Sequence, residues 1–256
     1  MLKEIVAQKY QEVAAAKQLR PLAEIISKIQ KGNFSFYAAL AATDWALIAE
    51  CKLASPAKGR LCSRYSVPEL AQIYEVHGAT ALSVHSDKHF CGQLADLAKV
   101  RAVSTLPILR KDFIIDSYQI YESRAAGADC ILLIAAILDD KQLQEYLSIA
   151  SELGLDCLVE VHSQAELERV NQTTAQLIGL NNRDLNTFTT NIQTTLTLKP
   201  YCREGRLIIS ESGVKDARDA LLLKSAGVQG ILVGEGLVIA ESVGEQTRQM
   251  ALKANQ

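Results

Sequence analysis

The stretch 117-SYQIYESRAAGADCILLIAAILDDKQLQEYLSIASELGLDCLVEV-161 decides the fold. Ser117–Ala126 is an amphipathic segment, and Gly127 follows it as the residue best suited to a left-handed helix C-cap. Cys130–Ile134 is a short apolar run of the length and make-up of a strand buried on both faces. A polar loop comes next, then the amphipathic segment Lys141–Leu153, then Gly154, then a second apolar run, Cys157–Val161. Helix, glycine, buried strand and polar loop in repetition mean parallel strands joined by crossover helices.

The same unit recurs outward in both directions. Apolar runs lie at Ala46–Ala49, Ala81–Val84 and Pro107–Leu109 before the quoted stretch, and at Leu177–Leu180, Leu207–Ile209 and Gly230–Val233 after it. Amphipathic segments at Val67–His77, Gln93–Val103, Ser163–Val170 and Lys215–Ala226 separate them, with Gly78 and Gly227 as further helix ends. Eight such units in a chain of 256 residues favour a closed α/β barrel, the (β/α)8 TIM barrel, over an open doubly wound sheet. No GxGxxG follows the first strand, which also counts against a dinucleotide-binding half. Residues 1–45 are expected to be an N-terminal helical extension, with helices at Met1–Leu19 and Pro21–Ile29 and an irregular Lys31–Phe36. Residues 46–256 form the barrel, and the whole is expected to be a single domain.

Bulk composition narrows the function. With 48% hydrophobic and 22% charged residues, the chain reads as an ordinary soluble globular protein. Its 27 basic and 29 acidic residues leave a net charge of −2, which argues against nucleic-acid or polybasic membrane partners. The longest apolar run, Ile131–Leu138, is too short to span a bilayer. Met1-Leu2-Lys3-Glu4 does not open a signal peptide, so a cytoplasmic location is expected. Six cysteines without a CxxC pair read as reduced thiols used as small core residues.

Barrel enzymes carry their chemistry at the C-terminal ends of the strands. The first strand ends in Glu50 and Lys52, two residues apart and therefore on one side, then Ser55. A charge pair at the tip of a buried strand is costly as pure structure. The second strand ends in Ser83, His85, Ser86 and Asp87, the third in Arg110, Lys111 and Asp112, and the fifth carries Glu160 and His162. The sixth delivers Asn181, Asn182, Arg183 and Asp184. Carboxylates and lysines crowded in one mouth tune each other for proton transfer, and the pattern does not say which lysine is perturbed. Ser212-Gly213 and Gly234-Glu235-Gly236, after the seventh and eighth strands, suit a phosphate, with Arg183 as a bidentate partner. The same glycines also suit plain tight turns, and Glu235 fits a phosphate only if it points away.

These segments together resemble the indole-3-glycerol phosphate synthase family. The matching pieces are Ile48-Ala49-Glu50-x-Lys52-x-Ala54-Ser55-Pro56-x-Lys58-Gly59, Leu109-Arg110-Lys111-Asp112-Phe113-Ile114 and Leu158-Val159-Glu160-Val161-His162. They continue with Ile178-Gly179-Leu180-Asn181-Asn182-Arg183-Asp184-Leu185, Ile209-Ser210-Glu211-Ser212-Gly213 and Val233-Gly234-Glu235. The resemblance implies conversion of 1-(2-carboxyphenylamino)-1-deoxyribulose 5-phosphate to indole-3-glycerol phosphate, with loss of carbon dioxide and water and no metal or organic cofactor. It implies that Lys111 is the general acid and Glu160 the general base. Lys52 would pair with the anthranilate carboxylate and is a candidate to share acid duty. Glu50 and Asn181 would orient the lysine and the substrate hydroxyls. Glu211 and Ser212 would line the pocket, Ser55, Arg183, Gly213 and Gly234 would hold the phosphate, and Phe113 would wall the ring. The partner is thus a phosphorylated small molecule, and a monomer or weak homodimer is expected.

The chain departs from the family at His85, where an aliphatic residue is usual and the aromatic ring is near. Leu53 and Ala57 also replace residues common in the family. The His85 change leaves room for a related cyclase and decarboxylase of an indole-alkaloid pathway, such as that of scytonemin. His85-x-x-x-His89, Asp87 and His162 invite a metal-dependent hydrolase reading, although two histidines at this spacing suit zinc only on a helix face. A non-catalytic binding protein is the third reading, and the full set of acid, base and phosphate residues opposes it.

Overall fold

Alternation along each apolar run builds the barrel. The computed structural model describes residues 2–56, 58–184 and 189–253, so Met1, Ala57 and Leu185 lie outside the described residues. The chain opens with α1 (Leu2–Leu19), α2 (Leu22–Ile26) and α3 (Ser35–Ala41). β1 (Ala46–Cys51) follows, then a small antiparallel ribbon of β2 (Ala54–Ser55) and β3 (Gly59–Arg60). Next come α4 (Val67–Val76), β4 (Ala81–His85), α5 (Ala95–Arg101), β5 (Ile108–Lys111), α6 (Ser117–Ala125), β6 (Cys130–Ile134), α7 (Asp140–Glu152) and β7 (Asp156–Val161). The chain goes on through α8 (Gln164–Asn171), β8 (Leu177–Asn181), α9 (Gln193–Leu198), β9 (Leu207–Glu211), α10 (Ala217–Ser225) and β10 (Gly230–Val233) to α11 (Glu235–Val238) and α12 (Val243–Met250). β1 pairs in parallel with both β4 and β10, which closes the eight-stranded barrel.

All of the expected strands are present, and several run further than their apolar letters. β1 continues through Cys51, β4 through His85, β5 through Lys111, β8 through Asn181 and β9 through Glu211. The extra residues are polar apart from Cys51, so hydrophobic pattern does not register them. The ladder holds them in place: Glu50 stands opposite Ser83, His85 opposite Lys111, and Asn181 opposite Glu211.

Two apolar layers follow from the period of two. Ile48, Leu109, Leu132, Leu158, Leu177, Ile209 and Leu232 point inward and fill the barrel. Leu47, Leu82, Ile131, Val159, Ile178 and Ile231 point outward against the helices. Each such burial is worth about 1.5–3 kcal/mol. The helices start at side-chain caps, such as Asp139 accepting the Gln142 N–H, and stop at glycines such as Gly127 (φ 93°) and Gly154 (φ 68°).

The extension departs from the expected pattern in two respects: the second helix is Leu22–Ile26, shorter than the expected Pro21–Ile29, and a third helix follows it. Ser35 and Phe36 were expected in an irregular stretch but begin α3, because Phe36 and Leu40 bury themselves in the inner core from below. α3 thus plugs the N-terminal end of the barrel, and the Tyr37 N–H at its start donates to Asp156 Oδ2 at 2.8 Å. α1 reaches the opposite end, where Leu2 and Ile5 line the mouth. On the way it is tied to α6, whose Tyr118 hydroxyl donates to the Ala16 and Arg20 carbonyls. Among the described residues, no helix is long and apolar enough to cross a membrane. The six cysteines are unpaired, with Cys51, Cys62 and Cys130 buried.

Candidate active site

The inward row of most strands ends in a polar side chain at the C-terminal mouth, β6 and β10 being the apolar exceptions. Glu50 follows Ile48, Lys111 follows Leu109, Glu160 follows Leu158, and Glu211 follows Ile209, each two residues on. The residues given a catalytic or binding role from the sequence line one cavity of about 710 Å³: Glu50, Lys52, Ser55, His85, Lys111, Phe113, Glu160, Asn181, Arg183, Glu211, Ser212, Gly213, Gly234 and Glu235; His162, Asn182 and Asp87 lie outside it.

Lys111 is the centre of the site. Its Nζ donates to Glu160 Oε2 at 2.9 Å and to Glu211 Oε2 at 2.6 Å. Burial alone would lower its pKa, but Glu160, Glu211 and Glu50 outweigh burial and hold it above the usual lysine range. Glu160 is likewise buried, yet Lys111 and His162 keep it well below the ordinary carboxylate range. Glu211 goes the other way. Burial and the facing Glu160 push it up to about 7 against the pull of Lys111. The three groups therefore titrate as a set.

Two glycines make room for the carboxylates. A Cβ on Gly179 would stand 1.9 Å from Glu211 Oε1, and one on Gly234 would stand 2.0 Å from Glu50 Oε2. Any side chain at either position would evict the acid. Glu50 does not touch Lys111 directly. Its Oε1 lies 2.7 Å from His85 Nε2 and its Oε2 lies 3.7 Å from Lys52 Nζ. Burial would raise Glu50, but Lys52 and His85 outweigh it and hold the acid strongly depressed.

One end of the cavity is aromatic. His85 stacks on Phe90 with ring centroids 4.4 Å apart and planes 6° from parallel. Phe113 tilts against Phe90 at 6.4 Å, and Lys52 Nζ stands 5.4 Å from the Phe90 centroid. The other end is polar backbone: Ser212 and Gly213 both adopt the left-handed conformation, with φ of 64° and 78°. Two successive residues there can turn N–H groups toward an anion.

The family model described as indole-3-glycerol phosphate synthase matches residues 2–250. The chain belongs to the indole-3-glycerol phosphate synthase family. It is 46% identical over 253 residues to the indole-3-glycerol phosphate synthase of Legionella pneumophila (strain Paris), covering 98% of both chains. It is 42% identical to that of Alkaliphilus metalliredigens (strain QYMF), covering 98% of this chain and 97% of the relative. Among solved structures, 3-hexulose-6-phosphate synthase from Salmonella typhimurium superposes with a TM-score of 0.61 at 14% identity, over 81% of this chain and 97% of that one. Orotidine 5'-phosphate decarboxylase from Pyrococcus horikoshii OT3 gives 0.60 at 13% identity, over 80% and 97%. These two likenesses concern the barrel fold alone.

In this indole-3-glycerol phosphate synthase family member the polar end is held by a buried amide network. Asn182 Nδ2 donates to Ser210 Oγ and to the Ser212 carbonyl, both at 2.9 Å, and Asn182 Oδ1 accepts from the Thr195 hydroxyl at 2.8 Å. Asn181 Oδ1 accepts the Arg183 N–H at 3.0 Å and so shapes the loop that carries Arg183. Glu235 reaches Lys58 at 2.5 Å across the mouth. Ser83 Oγ and Glu211 Oε1 are buried without a hydrogen-bond partner, and both belong to the inward row. The histidines do not gather: His85 faces Glu50 while His89 Nδ1 lies 2.8 Å from Asp87 Oδ1. Among the described residues no three His, Cys, Asp or Glu side chains form a metal-binding group.

Sequence reading missed Phe90, Ile5, Leu132 and Ile134, which add apolar wall to the cavity. It also missed Lys9 of α1. That lysine is only 4% exposed, and its Nζ reaches Asp87 Oδ2 at 2.6 Å, Asp112 Oδ1 at 2.8 Å and Glu12 Oε2 at 3.0 Å. Asp112 adjoins Lys111, so the extension is clamped to the strand end that carries the central lysine. The available signal was spacing: Ile5, Lys9 and Val13 recur every four residues and form the buried stripe of α1.

Proposed function

We propose that this chain converts 1-(2-carboxyphenylamino)-1-deoxyribulose 5-phosphate to indole-3-glycerol phosphate. The observation that carries the reading is Lys111 held between Glu160 and Glu211 in a cavity that also has an aromatic wall and an anion-suited backbone. Membership of the family supports it.

The substrate's phosphate is assigned to Arg183, Ser212, Gly213, Gly234 and Ser55. Its ring is assigned to the wall of Phe113, Phe90 and His85. Fixing both ends brings the carboxylate-bearing ring carbon against the ketone carbon, which is where positioning contributes most. Lys52 pairs with the departing carboxylate. As the carbon–carbon bond forms, charge develops on the ketone oxygen, and Lys111 delivers its proton there. A firmly protonated lysine is a weak acid toward a ketone but an adequate one toward the alkoxide that ring closure creates. Carbon dioxide leaves and restores the aromatic ring. The new hydroxyl then departs as water with a second proton, for which Lys52 is the donor once the carboxylate has left, and solvent replaces that proton, so that one proton is consumed per turnover. Glu160 takes the proton from the methylene carbon beside nitrogen, which completes the indole. Glu160 can return that proton to Lys111 across the 2.9 Å contact. Asn181 and Glu50 orient these groups, and Glu211 holds Lys111 from the far side. A monomer or weak homodimer working in the cytoplasm fits this reading.

The test is direct. Purified protein is mixed with the carboxyphenylamino-deoxyribulose phosphate and indole fluorescence is followed. A steady rise is expected, and a flat trace with folded protein overturns the reading.

A further inference from the structure

His162 stands out in the sequence as a metal-type ligand and has no part in the roles above. In the structure it sits directly behind Glu160. It follows the end of β7, its side chain is 8% exposed, and it lies outside the cavity lining. Its Nε2 stands 3.2 Å from Glu160 Oε1, off the line of a well-formed hydrogen bond but within ion-pair reach. The other ring nitrogen, Nδ1, lies 3.3 Å from Glu166 Oε2, and the same oxygen accepts the His162 backbone N–H at 2.8 Å. Glu166 is itself anchored in the first turn of α8, where its Oε1 accepts from the Ser163 hydroxyl at 3.1 Å.

Helix capping accounts for Ser163 and Glu166 but not for the ring. Capping needs no buried imidazole, and a buried charge is costly unless it is paired. With a carboxylate at each nitrogen the ring is an imidazolium. Burial alone would lower its pKa, but Glu160 and Glu166 push it up to about 10. Glu160 is therefore held by a cation at each oxygen, Lys111 on Oε2 and His162 on Oε1.

We propose that His162, braced by Glu166, is a positioning residue for the base: it turns Glu160 Oε2 toward Lys111 and the cavity and keeps the carboxylate ionised. The inference rests on the assignment of Glu160 as the base. The titratable groups that face Glu160 are Lys111 from β5, Glu211 from β9 and His162 after β7, with Glu166 of α8 behind the ring.

The experiment is the pH profile of kcat and KM for the intact protein, His162→Gln and Glu166→Gln, with the carboxyphenylamino-deoxyribulose phosphate as substrate. Loss of a cation beside a carboxylate raises its pKa, by about one unit or more at such distances. The acid limb of kcat in His162→Gln is expected to move upward by about one pH unit, with KM changed less than about twofold. Activity then falls about tenfold below the limb and much less at pH 8. Glu166→Gln is expected to shift the limb the same way by less. A purely structural role would lower kcat equally at every pH, and an unmoved limb in His162→Gln overturns the proposal. Should His162→Gln not fold, an unmoved limb in Glu166→Gln overturns it instead. A wild-type protein that forms no indole overturns the functional reading and this inference with it. A wild-type protein that turns over normally beside unmoved limbs overturns only the role of His162.

Discussion

The two ends of the barrel are made by the same eight strands and the same alternation, yet they hold opposite chemistry. At the C-terminal mouth the inward row ends in the buried Glu50, Glu160 and Glu211 and the partly buried Lys111, charges held in place by one another. At the N-terminal floor the same row meets Phe36 and Leu40 of α3, both almost fully buried, with Asp156 as the carboxylate at their edge. Buried charges contribute little net stability, because desolvation offsets most of their attraction. Packed apolar side chains contribute stability and no chemistry. The molecule thus separates the two tasks along one axis, and α1 and α3 of the extension serve one end each.

The largest expected effect is at the mouth. Lys111→Ala should lower turnover at least about a thousandfold while the far-UV circular dichroism of the barrel persists. The loss of Lys111 leaves Glu160 and Glu211 facing each other, and protonation relieves that repulsion. The variant's thermal midpoint should therefore fall more at pH 8 than at pH 6. Near-normal indole formation by the variant would remove Lys111 from the chemistry. Glu160→Gln should follow, with turnover reduced about a hundredfold and KM little changed.

The floor should answer in the opposite currency. Phe36→Ala empties a fully buried site and should cost about 3–5 kcal/mol of unfolding free energy, read from urea denaturation. The folded fraction should keep kcat/KM within about threefold of the parent. A large loss of activity without a loss of stability would break the division between the ends. Gly179→Ala lies between them. Its Cβ would occupy the place of Glu211 Oε1. Glu211 must then leave Lys111, so we expect turnover down about tenfold and stability down by about 1–3 kcal/mol.

The sequence reading reached one layer of this arrangement and stopped at another. Strand identity was legible because buried parallel strands are continuous apolar runs of five or so letters, as Cys130–Ile134 is. The mouth residues were legible because each is two positions beyond an inward apolar residue, as Glu160 is beyond Leu158. What connects them was not. Lys111 pairs with Glu160 and Glu211, which are 49 and 100 residues away, and no local pattern encodes such pairings. Glu50's contact with Lys52, two residues on, is local, but its contact with His85, on the neighbouring strand, is of the long-range kind. α3 escaped because Phe36 and Leu40 pack into a cavity formed by strands that follow it in the chain.

Asp156 gives the finest test of the contrast, because it is the charge that intrudes on the apolar end. It opens β7 and accepts the Tyr37 N–H, so it helps to seat α3. Burial nevertheless pushes its pKa up to about 6, against the pull of the Tyr37 and Phe36 N–H groups. A carboxyl whose folded pKa exceeds its unfolded value binds protons better in the native state. Its favourable contribution is complete below pH about 4 and is lost as the pH rises through about 6. Asparagine keeps the acceptor oxygen and removes the charge. Asp156→Asn should therefore match the parent in urea unfolding at pH 4 and exceed it by about 1–2 kcal/mol at pH 8, with kcat unchanged. The opposite result, a variant less stable at pH 8, would mean that the carboxylate's attraction to the α3 N-terminus outweighs the cost of burying it. The floor would then be held by a buried charge as the mouth is, and the distinction between the two ends would rest on which groups touch substrate rather than on how they are paired.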